Sequence, residues 1–146
     1  MMKVINPRNT KRAEAFELWG RAPNPMVTVF KTLDVTKLLK LSQKHRLKFN
    51  MLMCYCIGKA ANGIEEFFLL PVGDKLMEYD SIAVNTIVKN KTGEVSSCDV
   101  PFCINLEKFN KDYLYLTEKV KSSCQNYDIT DSMVIGTSTL CEYDID

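Results

Sequence analysis

One histidine, His45, and six cysteines, Cys54, Cys56, Cys98, Cys103, Cys124 and Cys141, are the residues of this chain best suited to nucleophilic or metal chemistry. A Cys-His pair needs the two side chains to meet and the thiol to ionise. Cys54 and Cys56 sit in the apolar run "MLMCYCIGKAA", where burial disfavours a thiolate. His45 lies in "SQKHRLK", at the expected end of a lysine-rich helix, where a cation is stabilised by the helix dipole. It reads as a helix-terminal cation rather than a catalytic base. Zinc is not expected either, because the sequence holds no Cys-x-x-Cys and one histidine. Cys54 and Cys56, two apart on a helix, point to different faces and read as core filling.

The carboxylates gather as Glu65-Glu66 and as Glu142, Asp144 and Asp146. Paired carboxylates can serve glycoside hydrolysis, but these read as solvated surface. Asp144-x-Asp146 resembles the opening of a calcium loop, without the remaining ligands of such a loop. No glycine-rich phosphate loop occurs, and Gly93 in "NKTGEV" reads as a turn glycine. Taken from the residues alone, the chain offers no self-contained acid-base site.

The elements that must position any site follow from pattern. With 146 residues and 16.7 kDa, the chain is expected to form one domain with a real core. Hydrophobic residues make up 46% and charged residues 25%, which excludes a disordered composition. Nineteen basic and eighteen acidic residues leave a net charge of +1, so no basic field points to nucleic acid. Met1 to Arg8 has no apolar signal region, and no run approaches the about eighteen apolar residues of a membrane span. A cytoplasmic protein with reduced cysteines is the expectation.

The spacing predicts a helix over Asn9 to Gly20, a turn at "RAPNP" and a strand over "MVTVFKTLDV", Met26 to Val35. Asp34 or Thr36 can cap a short helix carrying Val35, Leu38 and Leu39 on one side. A buried helix is expected over Asn50 to Ala61. Three strand-like runs follow in "EEFFLLPVGDKLMEYDSIAVNTIVKN", the first two joined across Gly73 and Asp74. "GEVSSCDVPF" is another strand, and Leu106, Phe109, Tyr113, Leu116 and Val120 mark a helix over Asn105 to Ser122. Ser132 to Tyr143 returns to strand. Helices among strands in this order predict an α+β fold, a mixed β-sheet layered with helices.

"RAEAFELW", the turn after it and "VTVFKTLDVTKLLK" resemble the amino-terminal region of the chloramphenicol acetyltransferases. "KFNM", Lys48 to Met51, stands where that family has Lys-Phe-Tyr-Pro, and "DSIAVNTIVKNKTGEVSS" resembles its Asp-Ser-Val stretch and the strands that follow. The resemblance runs over essentially all 146 residues. It implies acetyl transfer from acetyl-CoA to a hydroxyl of chloramphenicol or a related acceptor, without a metal, in a homotrimer that confers antibiotic resistance. The family's general base is the second histidine of a His-His-x-x-x-Asp-Gly motif, which is not in this sequence.

The resemblance also bears on "VIGTSTLCEYDID", Val134 to Asp146, which reads as a strand and an acidic turn in mid-fold. It implies one domain over residues 1–146 that is incomplete at the carboxy terminus, the base lying in a missing third. Carried over residue by residue, it places Trp19, Pro25, Val27, Phe49, Thr86 and Val88 beside the acceptor, with ordinary core the competing reading for each apolar residue and the preferred one for Val27 and Val88. Arg12 matches an arginine that pairs with the aspartate of the absent motif. The family's oxyanion-binding serine is replaced by Gly136, with Thr137 the neighbouring hydroxyl that could donate to a tetrahedral oxyanion. Asn50-Met51 in place of Tyr-Pro alters the edge of the pocket. The competing readings are a non-catalytic binding or assembly module and a degenerate product without function.

Overall fold

The computed structural model describes residues 2–139. Among them are strands β1 (Met2–Ile5), β2 (Leu69–Val72), β3 (Lys75–Tyr79), β4 (Ile82–Lys89), β5 (Val95–Pro101) and β6 (Met133–Gly136). The α-helices are α1 (Ala13–Gly20), α2 (Thr36–His45), α3 (Phe49–Ala61) and α4 (Leu106–Ser123). One sheet is antiparallel in the order β1-β3-β2. The other is mixed in the order β5-β4-β6, with β5 antiparallel and β6 parallel to β4. The α+β class expected from the sequence is the one observed.

The mixed sheet and two helices form the core. Val84, Cys98 and Val100 of the sheet meet Met51, Leu52 and Cys54 of α3 and Phe109, Tyr113, Leu116 and Val120 of α4. Burying each large apolar side chain contributes about 1.5–3 kcal/mol. The α4 stripe read from the sequence is thus the stripe that docks. Asn105 caps α4, its side-chain oxygen accepting from the Lys108 amide at 2.8 Å. Gly58 lets α3 approach closely, since a Cβ there would lie 2.5 Å from a ring carbon of Phe102. Beyond it, the rings of Tyr55, Phe102 and Phe109 meet with centroids 5.7–6.0 Å apart.

The edges of the mixed sheet differ. Along β5, the Asp99 amide donates to the Tyr127 carbonyl at 2.8 Å and the Tyr127 amide to Ser97 at 3.0 Å. The Asp99 carboxylate accepts from the Asn85 side chain at 2.7 Å and from the Ile129 amide at 2.8 Å. Those bonds close that edge. The β2–β3 hairpin turns at Gly73, whose φ of +59° suits glycine.

Several expectations are corrected. Met26 to Val35 forms no strand: no ladder pairs it among the described residues. Its β-branched residues favour extended chain, but a strand needs a neighbour to take its backbone hydrogen bonds. Val29 and Phe30 remain 80% and 81% exposed. The first helix begins at Ala13, behind a 3-10 turn at Pro7–Asn9, because Thr10 bonds back to Pro7 and interrupts the run. Met2–Ile5 is a strand although its sequence shows no turn-bounded run. Cys54 is buried as expected, but Cys56 is exposed, on the solvent side of α3. Among the described residues the last strand ends at Gly136, and the remainder of the expected strand from Leu140 onward lies outside them.

Candidate functional site

Asn50, in the first turn of α3, opens a polar seam within the apolar core. Its side-chain nitrogen donates to the Thr86 hydroxyl at 3.1 Å and to the Tyr113 hydroxyl at 3.0 Å. Its oxygen accepts from the Thr139 hydroxyl at 2.8 Å. One amide therefore joins α3 to β4, to α4 and to the segment after β6. Thr86 is 2% exposed, so its pairing with Asn50 avoids the cost of a buried polar group without a partner.

One turn further along α3, Cys54 Sγ lies 3.8 Å from Thr137 Oγ1. The Thr137 hydroxyl donates to the Asn85 carbonyl at 2.7 Å. A hydroxyl has one proton, so Cys54 is the donor to Thr137. That requires a protonated thiol, and burial pushes the Cys54 thiol up, only partly offset by its hydroxyl neighbours. Burial also raises Tyr113, against the hydrogen bond from Asn50. Cys98, fully buried, is pushed up to about 12 by burial and the neighbouring Asp99 charge. None of these groups is a thiolate or a base near neutral pH.

The residues read from the sequence fall into two groups. Phe49, Thr86, Val88 and Thr137 belong to the α3–β4–β6 region: Phe49 opens α3, Val88 packs against the core, and Thr86 and Thr137 flank the polar seam. Gly136 lies opposite Asn85 in the parallel pair, and a Cβ built on it meets nothing within 4 Å. Trp19 and Arg12 lie elsewhere, in a cleft of about 190 Å³ lined with Phe16, Glu66, Pro71 and Leu76. There Arg12 Nη1 is 3.9 Å from Glu66 Oε1, both side chains about half exposed. Pro25 and Val27 sit on the exposed segment after α1.

His45 keeps the role expected for it, a basic residue in the last turn of α2, and borders a separate cleft with Leu41, Leu47 and Leu106. No cluster of metal-binding side chains occurs among the described residues, and no helix there is long and apolar enough to cross a membrane. The sequence reading treated Asn50 as a change at a pocket edge and did not find its link to Tyr113 and Thr139. The available signal was a polar residue four before Cys54 in an apolar helix, together with the alternation Thr137-x-Thr139.

Comparison with known proteins bears on the family and the fold. Residues 2–135 match the family model described as chloramphenicol acetyltransferase. "Chloramphenicol acetyltransferase 3" of Escherichia coli is 27% identical over 116 residues, covering 79% of this chain and 54% of the relative. The chain thus spans about half the length of that curated relative. A solved structure titled "chloramphenicol acetyltransferase" superposes with a TM-score of 0.79 at 17% identity, over 94% of this chain and 69% of the other. The sheet-and-helix core that carries the polar seam is the fold of those enzymes, and the chain belongs to the chloramphenicol acetyltransferase family.

Proposed function

We propose that this chain is an acetyltransferase polypeptide that contributes the acceptor side of a site transferring acetyl from acetyl-CoA to a hydroxyl of chloramphenicol or a related small molecule. The family match over residues 2–135 carries the reading. In the reaction, the acceptor oxygen attacks the thioester carbonyl, its proton passes to a general base, and the tetrahedral oxyanion collapses to the ester with release of CoA thiolate. The 146 residues contain one histidine, His45, and no His-His-x-x-x-Asp-Gly motif. None of the 146 residues therefore matches that family base.

Trp19, Pro25 and Val27 would border the acceptor on one side, and Phe49, Thr86 and Val88 on the other. In the single chain Trp19 lines a cleft that none of Phe49, Thr86 and Val88 borders. A homotrimer with sites between cytoplasmic subunits, acting in antibiotic resistance, is the assembly this reading favours. Residues 1–146 would then form one domain that needs further chain to complete its site. Thr137 would serve as oxyanion donor only after its hydroxyl leaves the Asn85 carbonyl, 2.7 Å away. A well-placed donor of that kind is worth about 3–4 kcal/mol in the transition state.

A second reading, a binding or assembly module without catalysis, is favoured by the same spent hydroxyl and by the protonated state of Cys54. Thiol release from acetyl-CoA with chloramphenicol separates the two. The experiment compares the 146-residue chain with a version continued through the family's histidine motif. Turnover by the continued version alone supports the acetyltransferase reading. Absence of turnover in both, with acetyl-CoA still bound, supports the module.

A further inference from the structure

The two contacts between α3 and the segment after β6 are regularly spaced. Asn50 and Cys54 are four residues apart, one helical turn, so they share a face and rise about 6 Å along the axis. Thr137 and Thr139 are two residues apart, which in extended chain spans about 6.6 Å with both side chains on one side. The contacts run Asn50 to Thr139 and Cys54 to Thr137, so helix and segment meet as two antiparallel rungs of matching length. The sheet supplies a second fixing, for the Thr137 amide and hydroxyl both donate to the Asn85 carbonyl, at 2.9 and 2.7 Å.

We infer that Asn50 is a positioning residue, a latch that holds the Gly136–Thr139 edge against α3. The amide is itself held on two further sides, by Thr86 and Tyr113, both buried, so its oxygen is aimed before Thr139 arrives. Thr139 is exposed and Asn50 half-buried, which makes this rung the one that opens first. The lower rung follows it: once Thr139 is free, Thr137 is held only by Asn85, and Cys54 loses its cover. This inference rests on reading the Gly136–Thr139 edge as part of the acyl-transfer site, and it assigns to Asn50 the control of where the Thr137 hydroxyl points.

The test is the rate at which a thiol reagent labels individual cysteines, followed by peptide mass spectrometry on the intact chain. Cys54 and Cys98 are both buried and label only through opening. Cys98 lies in β5, opposite Thr86 in the ladder but on the far side of β4 from β6, and serves as the internal reference for opening of the sheet itself. Thr139→Val is expected to speed Cys54 labelling about three- to tenfold with Cys98 unchanged, the size expected for one hydrogen bond. Asn50→Leu should act at least as strongly, and the double variant no more than Asn50→Leu alone.

Equal acceleration of Cys54 and Cys98 would overturn the proposal in favour of general destabilisation. So would an unchanged Cys54 rate in Thr139→Val, or additive effects in the double variant. Labelling needs no acetyl-CoA, so it answers independently of turnover. The latch pattern in a continued chain that releases no CoA would defeat the acetyltransferase reading alone. Turnover without the latch pattern would defeat only this inference.

Discussion

The α3–β4–α4 region and the amino-terminal stretch from Arg12 to Leu33 contain similar proportions of apolar residues, yet one is a finished core and the other an open surface. In the first, Met51, Val84 and Phe109 are fully buried, and the polar groups among them are matched to partners. In the second, α1 buries no residue, Trp19 is 44% exposed, and Val29 and Phe30 face solvent. The difference is one of neighbours, not of composition. A helix stripe can be satisfied by one sheet face, whereas an extended segment also needs a strand beside it for its backbone.

Under the proposed function, that open half of the site is completed by other polypeptide, while the polar seam is built within the chain.

The sharpest way to break the comparison is to damage the core side. Phe109→Ala should cost about 3–5 kcal/mol and abolish a cooperative melt followed by circular dichroism. A loss below about 1 kcal/mol would mean that the α4 stripe is not where the stability lies.

Alkaline pH probes the same side more gently. The native chain holds the protons of Cys54, Cys98 and Tyr113 more tightly than ordinary side chains do. Above the ordinary thiol value of 9.0 the unfolded chain releases protons that the native chain keeps. Stability contributed by the buried thiols is therefore full below that pH and falls as pH rises toward 12. The urea midpoint should drop steadily across that window. A flat profile would place water at these groups.

The smallest effect belongs to the open side. Arg12→Ala should change the urea midpoint by less than the equivalent of about 0.5 kcal/mol, because its 3.9 Å contact with Glu66 is half in solvent. A larger loss would show that the amino-terminal cleft is better built than its exposure indicates.

How far each region was legible in the sequence follows the same division. The stripe Leu106 to Val120, the turn at Gly73 and Asp74, and the pair formed by β4 and β5 rest on local patterns that their neighbours satisfy. Met26 to Val35 has a strand's composition, but pairing is a property of the partner and cannot be read from the segment itself. β1 was missed because four residues that carry one exposed face show little alternation.

The candidate site was partly legible for a similar reason. Thr86, Val88, Phe49 and Thr137 were named from family resemblance and lie in one region, whereas Trp19 lines a different cleft and Pro25 and Val27 are exposed. Asn50 was seen as a departure from a motif, but its role depends on partners 36, 63 and 89 residues away. No window of sequence contains that information.

Amide hydrogen exchange on the isolated chain, read by peptide, tests the contrast between the two regions most directly. Amides of Val84 to Thr86 and of Phe109 to Val120 should exchange only through global unfolding, while those of Met26 to Leu33 should exchange near the rate of unstructured peptide. Protection of Met26 to Leu33 equal to that of β4 would contradict the account, because it would mean that the single chain already closes the side of the site described here as open.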